Sequence, residues 1–185
     1  MIASNCSVHE TAIIEEGAVI GLGTSVWHHA HVRSGAVIGR RCNLGKNVYI
    51  DGDVRMGDGV KVQNNVSIFA GVSVEDEVFL GPGVTFTNDR FPRAASVDWE
   101  VVPTVVRRGA SIGANATVVC GVEIGEWAMV GAGTVVTHDV ESHEVVVGNP
   151  AHRIGWACRC GRVAATAVGR PIDLRCVICA GGGRP

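Results

Sequence analysis

The chain has 185 residues, enough for one domain with a sizeable core and a small appendage. Its 16 basic and 18 acidic residues give a net charge of −2, so neither a basic stripe for nucleic acid nor an acidic disordered tail is expected. Glycine is abundant, with 25 residues, while aromatic residues make up 5% of the chain, which indicates a backbone-rich architecture with many tight turns.

The first six residues lack the charged region and the apolar run of a signal peptide, and no apolar stretch approaches membrane-spanning length. We therefore expect a cytoplasmic protein with no membrane partner. The seven cysteines of a protein in a reducing compartment are expected to be metal ligands or small buried side chains more often than disulfides.

Large apolar residues recur at every sixth position from Val8 to Phe86, which makes fourteen hexads. Six more hexads follow in a shifted register from Val106 to Val136. A small or β-branched residue stands four positions after each large one except Phe86, after which the repeat lapses. A period of six with two inward positions fits neither an amphipathic helix nor an alternating strand, and it predicts a solenoid of very short strands. Three hexads would complete one triangular coil, so residues 18 apart would stack.

Turn residues mark the corners of this solenoid. Glycine, asparagine or aspartate occupies fifteen of the twenty positions that lie three residues after a large apolar residue. These residue types tolerate the left-handed backbone conformation that a sharp bend requires. The sequence therefore predicts an all-β fold, a left-handed parallel β-helix over residues 1–141. The repeat lapses at 87–105, which predicts an extruded loop long enough to carry function.

The end of the chain, residues 158–185, contains two close pairs of cysteines. Cys158-x-Cys160 is followed by fifteen residues and then by Cys176-x-x-Cys179. Four thiolates in two close pairs suit one tetrahedral zinc ion, so we expect a zinc-ribbon-like extension that holds structural zinc. The alternative is an unmetallated, frayed terminus.

Several short segments carry a resemblance to a known family. They are VWHHAH at 26–31, QNNVSI at 63–68, FTND at 86–89, and GNPA with GW between 148 and 156. In these segments the chain resembles the bacterial hexapeptide-repeat N-acetyltransferases that acetylate the 3-amino group of UDP- or dTDP-linked sugars for surface polysaccharide or natural-product glycosylation.

The resemblance implies a homotrimer with three clefts between neighbouring subunits. Acetyl-CoA, the co-substrate, would lie along the C-terminal coils, and residues 142–157 would form a tail packed near this acyl donor. The nucleotide sugar would lie nearer the N-terminal coils, covered by the loop.

Two residues are candidates for catalysis. The resemblance places Asn88 at the sugar amine, where it could orient the amine by hydrogen bonding, because a neutral amine that is well positioned can attack a thioester directly. A turn or cap role for Asn88 is the alternative. His31 could contact the substrate or accept a proton.

The remaining candidates come from the resemblance and from residue chemistry. For the nucleotide sugar they are polar or cationic residues, each of which could instead be solvated or part of a hydrogen-bond ladder: Arg33, Lys46, Gln63, Asn64 and Arg93. For acetyl-CoA they are small residues that admit the pantetheine arm and residues of the C-terminal coils and tail: Ala114, Ala132, Gly133, His138, Asn149, Pro150 and Arg153.

Other functions stay open at this point. The chain could be a different hexapeptide acyltransferase that acetylates a hydroxyl of a sugar or a serine-like acceptor, with His31 as the base. It could also be a non-catalytic scaffold that resembles the γ-carbonic anhydrases. A histidine zinc site is not expected, because the positions 18 residues after His28, His29 and His31 hold Lys46, Asn47 and Tyr49.

Overall fold

The computed structural model describes residues 1–97, 99–166 and 169–183. It contains 23 short strands and one short helix in that part of the chain. In chain order the strands are Ser7–Val8 (β1), Ile13–Ile14 (β2), Val19–Ile20 (β3), Ser25–Val26 (β4), His31–Val32 (β5), Val37–Ile38 (β6), Asn43–Leu44 (β7), Tyr49–Ile50 (β8), Arg55–Met56 (β9), Lys61–Val62 (β10), Ser67–Ile68 (β11), Val72–Val74 (β12), Phe79–Leu80 (β13), Thr85–Phe86 (β14), Thr104–Val106 (β15), Ser111–Ile112 (β16), Thr117–Val118 (β17), Glu123–Ile124 (β18), Met129–Val130 (β19), Val135–Val136 (β20), Glu144–Val147 (β21), His152–Ala157 (β22) and Val163–Ala165 (β23); the helix is Val177–Ala180 (α1).

Three sheets form the three faces of a parallel β-helix, and each sheet takes every third strand. Face I contains β1, β4, β7, β10, β13, β16, β19 and β21, followed by β22 and β23. Face II contains β2, β5, β8, β11, β14, β17 and β20, and face III contains β3, β6, β9, β12, β15 and β18. The fold class expected from the hexads, a parallel β-helix, is confirmed.

Each of the first twenty strands ends on the large apolar residue that its hexad predicts. The register also agrees with the prediction, because Val26 pairs with Leu44 and Val62 pairs with Leu80, 18 positions apart. Across the loop, Leu80 pairs with Ile112, which is 32 positions away, so this coil holds 14 residues more than a regular coil of 18. The loop is thus an insertion at one corner that leaves the stack of coils in register.

The core consists of the two inward positions of each hexad, stacked into columns. Large residues such as Ile50 and Ile68 and small ones such as Ala30 and Ala116 are fully buried. A single coil cannot enclose its own apolar side chains, so burial depends on the coils above and below. The described residues include no helix long and apolar enough to cross a membrane.

The corners impose a left-handed backbone even where the residue type disfavours it. Thirteen of the predicted glycine, asparagine and aspartate positions have positive φ, as expected. Four bulkier corner residues also do, namely His29, Arg41, Glu77 and Trp127, with φ between 52° and 60°. The stacking of the coils therefore overrides the preference of these residue types for negative φ. A corner that did not bend would break the register of every strand after it.

The parallel stack continues past residue 141. Strand β21 pairs in parallel with β19 on face I, with Val130 opposite Val146. The chain then reverses, β22 pairs antiparallel with β21, and β23 pairs antiparallel with β22. The indole of Trp156 in β22 is fully buried at this end. Asp98, which belongs to the loop, lies outside the described residues.

The glycine that follows β16 tests how closely the coils pack. A Cβ atom at Gly113 would lie 2.5 Å from the backbone nitrogen of Ala132 in the next coil. Because this neighbour is backbone that the hydrogen bonds of Gly131 and Gly133 hold in place, we expect Gly113→Ala to destabilise the protein by about 2 kcal/mol and to lower the Tm by roughly 4–8 °C.

Thermal unfolding followed by circular dichroism checks this expectation. Gly169→Ala is the matched control, because a Cβ there meets no atom within 4 Å and its φ lies outside the left-handed region. The control should change stability by less than about 0.5 kcal/mol. Equal Tm values for the two variants would contradict the close-packing argument.

Candidate functional site

One column of residues runs along the edge between faces I and II. The strands β4, β7, β10, β13, β16 and β19 stack in register on face I. The residue two positions after the end of each of these strands belongs to the column. We call it the edge column, and its members are His28, Lys46, Asn64, Pro82, Ala114 and Ala132. Its N-terminal half carries polar side chains, and its C-terminal half carries small ones.

The polar half of the edge column is held by hydrogen bonds between coils. The backbone N–H of Lys46 donates to Oδ1 of Asn64 over 2.9 Å, and the side-chain amide of Asn47 donates to Oδ1 of Asn65 over 3.0 Å. The ladder role that the sequence left open for Asn64 is therefore present. The side chain of Lys46 is exposed, and Gln63 is half-buried beside Asn64. The structure brings these three substrate candidates together.

The C-terminal half of the edge is a strip of nearly bare backbone. Ala132 and Gly133 are exposed, and a Cβ atom at Gly133 would meet nothing within 4 Å. An extended thioester arm could lie on such a strip without steric hindrance. The turn with exposed Asn149 and Pro150 sits at its end, because the N–H of Val135 donates to the carbonyl of Gly148 over 3.0 Å.

Asn88 lies on a different edge, between faces II and III, where the loop leaves the coil. Its carbonyl accepts a hydrogen bond of 2.9 Å from the N–H of Val102, which closes the base of the loop. Its half-buried side chain lines a groove of about 340 Å³ together with Arg93 and Trp99. Asn88 and Arg93, predicted separately, thus share one groove.

His138 belongs to this second edge as well. The register of face II stacks Asn88, Cys120 and His138 in one column, so His138 lies two coils above Asn88. Its Nδ1 is 2.8 Å from the hydroxyl of Thr137, and its ring is exposed. His138 is therefore on a different edge from the acetyl-CoA candidates Ala114 and Ala132, which belong to the edge column.

His31 is part of a charged network on face II. Its Nε2 lies 2.7 Å from a carboxylate oxygen of Glu15, which would orient the ring. Arg33 joins the network through ion pairs of 3.6 Å to Glu15 and 3.1 Å to Asp51. Tyr49 in the next coil meets the His31 ring edge-on, with the ring centroids 5.7 Å apart.

The network stabilises the charged form of its central acid. The pKa of Glu15 is lowered first by the hydrogen bond from the backbone N–H of Ser34, then by the hydrogen bond with His31 and by the charge of Arg33. His31 lies three coils below the strand that leads to Asn88, about 14 Å at roughly 4.8 Å per coil. Within one chain the two catalytic candidates are therefore not brought together.

Arg153 is held within the C-terminal hairpin. Its guanidinium donates to Glu144 over 2.7 Å and to Glu141 over 2.6 Å, and it lies over the ring of Trp156 at 4.7 Å. The hydrogen bond with Glu144 is the main reason that the pKa of Arg153 is raised. Arg153 was one of the acetyl-CoA candidates from the sequence, and the structure places its charge against two carboxylates.

The four C-terminal cysteines meet in one cluster, although fifteen residues separate the two pairs. The sulfur atoms of Cys158, Cys160, Cys176 and Cys179 all lie within 4.8 Å of one another. The Sγ atoms of Cys160 and Cys176 are 3.6 Å apart. Four thiolates around zinc at 2.3 Å would be about 3.8 Å apart, so the cluster has the dimensions of a tetrahedral site.

The thiols of this cluster have very different acidities. Hydrogen bonds from the backbone and the side chain of Arg162 lower the pKa of Cys160 to about 6. The hydrogen bond with Cys160 raises the pKa of Cys179 to about 12. Such divergence is expected when several thiolates would share a small volume without a cation. A divalent cation at the centre would favour all four thiolates.

Sequence reasoning missed Glu15, Tyr49 and Trp99 as neighbours of the candidate residues. The signal for Glu15 was available, because Glu15, Arg33 and Asp51 are 18 positions apart and therefore stack with alternating charge. The place of Trp99 in the groove depends on the path of the loop, for which the repeat gives no information.

Comparisons with known proteins agree with this architecture. The family described as bacterial transferase hexapeptide (six repeats) matches residues 103–138, and the hexapeptide repeat of succinyl-transferase matches residues 35–70. A dTDP-3-amino-3,6-dideoxy-alpha-D-galactopyranose 3-N-acetyltransferase from Aneurinibacillus thermoaerophilus is 45% identical over 158 residues, which cover 85% of this chain and 82% of the relative. The chain belongs to the hexapeptide-repeat sugar-nucleotide N-acetyltransferases.

Solved structures share the fold of this family member. The acetyltransferase domain of PglB from Neisseria gonorrhoeae, in complex with acetyl coenzyme A, is 22% identical with a TM-score of 0.55 over 80% of this chain and 57% of that one. A hexapeptide-repeat acetyltransferase from Vibrio cholerae is 21% identical with a TM-score of 0.57 over 75% of this chain and 73% of that one. At this identity the similarity concerns the β-helix alone.

Proposed function

We propose that this chain is an acetyl-CoA-dependent N-acetyltransferase that acetylates the 3-amino group of a dTDP- or UDP-linked amino sugar. The observation that carries the proposal is the 45% identity, over most of both chains, with a relative named for that reaction on a dTDP-linked sugar. The edge column supports it, since the cation Lys46 suits the diphosphate of the acceptor and the Ala114–Ala132 strip suits an extended acyl donor.

The proposed chemistry needs no acyl-enzyme. The lone pair of the neutral amine forms a bond to the thioester carbonyl carbon, the carbon–sulfur bond breaks, and the CoA thiolate leaves and takes up the proton released by the nitrogen. The side-chain oxygen of Asn88 accepts a hydrogen bond from the amine and aims its lone pair. Such positioning can supply roughly 7–11 kcal/mol of the barrier reduction in favourable cases.

We further propose that the active form is a homotrimer, because one chain does not complete the site. Asn88 and the edge column lie on opposite edges of face II, six residues or roughly 20 Å of extended chain apart. A second subunit that presents the other edge would bring an Asn88 groove against an edge column.

We also propose a reducing, cytoplasmic location. All seven cysteines lie in the described residues and are unpaired, which supports this location.

The cysteine cluster is proposed to hold one structural zinc ion. The donor set and the sulfur separations fit, and the described residues of the extension bury few side chains besides Cys158 and Cys176. A segment with so small a core depends on a cross-link or a metal for its stability. When bound, zinc would tie the turn after β22 to the start of α1, and it would take no part in acetyl transfer.

The acetyl-transfer proposal is tested by the release of free CoA thiol with dTDP- and UDP-linked 3-amino sugars. Asn88→Ala should lower kcat by roughly 10²-fold, because misplacement of the amine costs about that much. Ser73→Ala on face III should match the wild type. Absence of turnover with every 3-amino sugar would contradict the proposal. Turnover of hydroxyl acceptors, abolished by His31→Ala, would favour O-acetylation instead.

A mixing experiment tests whether the site lies between subunits. Asn88→Ala removes one half of the site, and Ala132→Trp blocks the other half at an exposed position. Each variant alone should retain at most about a hundredth of wild-type activity, whereas a closed ring that contains both variants regains one of its three sites, or about a third of wild-type activity. Mixed trimers are isolated with two different affinity tags. Inactive mixed trimers, or a monomeric wild type in light scattering, would refute the arrangement.

The zinc proposal predicts about one zinc per chain in protein purified without chelators, measured by elemental mass spectrometry. Cys176→Ser should lose most of this metal, while Cys42→Ser, whose buried thiol lies far from the cluster in sequence, should retain it. Wild-type protein that contains no zinc, and takes up none when zinc is added under reducing conditions, would show that the cluster is not a metal site.

A further inference from the structure

An aromatic cluster at the N-terminal end of the edge column has no role in the function proposed above. His9 and His28 stack with their ring centroids 3.5 Å apart and their planes inclined by 26°. The indole of Trp27 is nearly parallel to the His28 ring, at 4° and 6.4 Å. All three residues come from two neighbouring corners of the same edge, and the side chains of Trp27 and His28 are exposed.

The orientation of the indole is fixed by a hydrogen bond. Nε1 of Trp27 donates to Oδ1 of Asn43 in the next coil over 2.8 Å. Trp27 is 47% exposed, and the polar edge of its ring already has a hydrogen-bond partner, so its aromatic face is available to a ligand. An exposed aromatic face that is fixed in place suits a flat ring as a ligand, because little freedom remains to be lost on stacking.

The charges around the cluster are arranged along the edge. Lys46 follows His28 in the edge column one coil further on, and Glu10 precedes it one coil earlier. The pKa of His28 is lowered, first by desolvation and then by the nearby charges of His9, His29 and Lys46, while Glu10 opposes this. This shift favours the uncharged form of the ring, and the cation that follows His28 in the edge column is Lys46, one of two lysines in the chain.

We propose that Trp27 and His28 form the stacking platform for the pyrimidine base of the nucleotide-linked acceptor, with Lys46 facing its diphosphate. This inference rests on the proposed function for the identity of the acceptor. The base lies on the aromatic rings, and the diphosphate runs along the edge towards Asn64. The sugar then points towards the C-terminal coils, where the acyl donor is proposed to lie.

The platform predicts which nucleotides should bind. Stacking uses the π-face of the base, which uracil and thymine share, so the platform alone does not distinguish UDP from dTDP. Both nucleotides should bind with Kd values within a few-fold of each other. A sugar that carries no nucleotide should bind far more weakly.

The test is titration calorimetry with dTDP and with UDP on the full-length protein, without acetyl-CoA, so that the readout does not depend on catalysis. Trp27→Ala should raise the Kd for both nucleotides by roughly 10-fold or more, as expected for the loss of one stacked base. Trp27→Phe should recover part of the affinity. Lys46→Ala should weaken dTDP binding and reduce its dependence on salt.

Leu22→Ala is the matched control, because Leu22 is a large apolar residue, 45% exposed, at another edge of the same coil. It should bind nucleotides as the wild type does. Wild-type affinity in the Trp27→Ala protein would overturn the platform and leave the proposed acetyl transfer intact. A wild type that binds neither nucleotide and releases no CoA would overturn the proposed function and the platform together.

Size-exclusion chromatography of each variant distinguishes a role in assembly. If Trp27→Ala changes the oligomeric state while Lys46→Ala binds dTDP normally, Trp27 is an interface residue and the platform is wrong. If both variants keep the wild-type assembly and both bind nucleotide more weakly, the platform is supported.

Discussion

The hydrogen-bonded stacking of one coil on the next is the constraint on which the rest of this protein depends. Strands of two or three residues have no stability of their own, and each finds its partners 18 positions away in the neighbouring coils. Such a ladder keeps every residue of the coil in a column of equivalent positions. A side chain is therefore placed by its phase within the hexad and by its coil, and local propensity has little influence. The left-handed backbone of Arg41, Glu77 and Trp127 illustrates how strongly the stack imposes this geometry.

Because the inward positions are used for packing, side chains that bind ligands or react can stand only at the corners and the outward positions. Each edge becomes a linear surface on which polarity can vary from coil to coil. Between faces I and II the side chains change from aromatic at His28, through polar at Lys46 and Asn64, to small at Ala114 and Ala132. A nucleotide-linked sugar and an acyl donor that lie end to end match such a surface, since base, diphosphate, sugar and thioester arm differ in the same order. The solenoid is thus a scaffold for recognition along its axis.

The strands, the core and the edge column could be predicted from the sequence, because all of them follow from a period of six and a stacking distance of 18. Even the ion pairs of Arg33 with Glu15 and Asp51 obey that spacing. Features outside the repeat could not be predicted in the same way. The groove beside Asn88 depends on the path of the loop, and the ion pairs of Arg153 depend on the reversal of the chain after β21. The cysteine spacing indicated a metal site, but the approach of the two pairs depends on a fold that is specific to the extension.

The C-terminal end of the stack is closed by a reversal of the chain. At the C-terminal end the chain turns back, and β22 pairs antiparallel with β21, so a further parallel coil has no matching edge on which to add. The buried indole of Trp156 lies in β22, and the first cysteine pair of the cluster follows that strand directly, so the residue that closes the core and the proposed metal site are adjacent in the chain. At the N-terminal end Ile2 and Ile13 are about half exposed. The edge column runs from the aromatic cluster to the small residues Ala114 and Ala132, which follow the strands nearest to the closed C-terminal end.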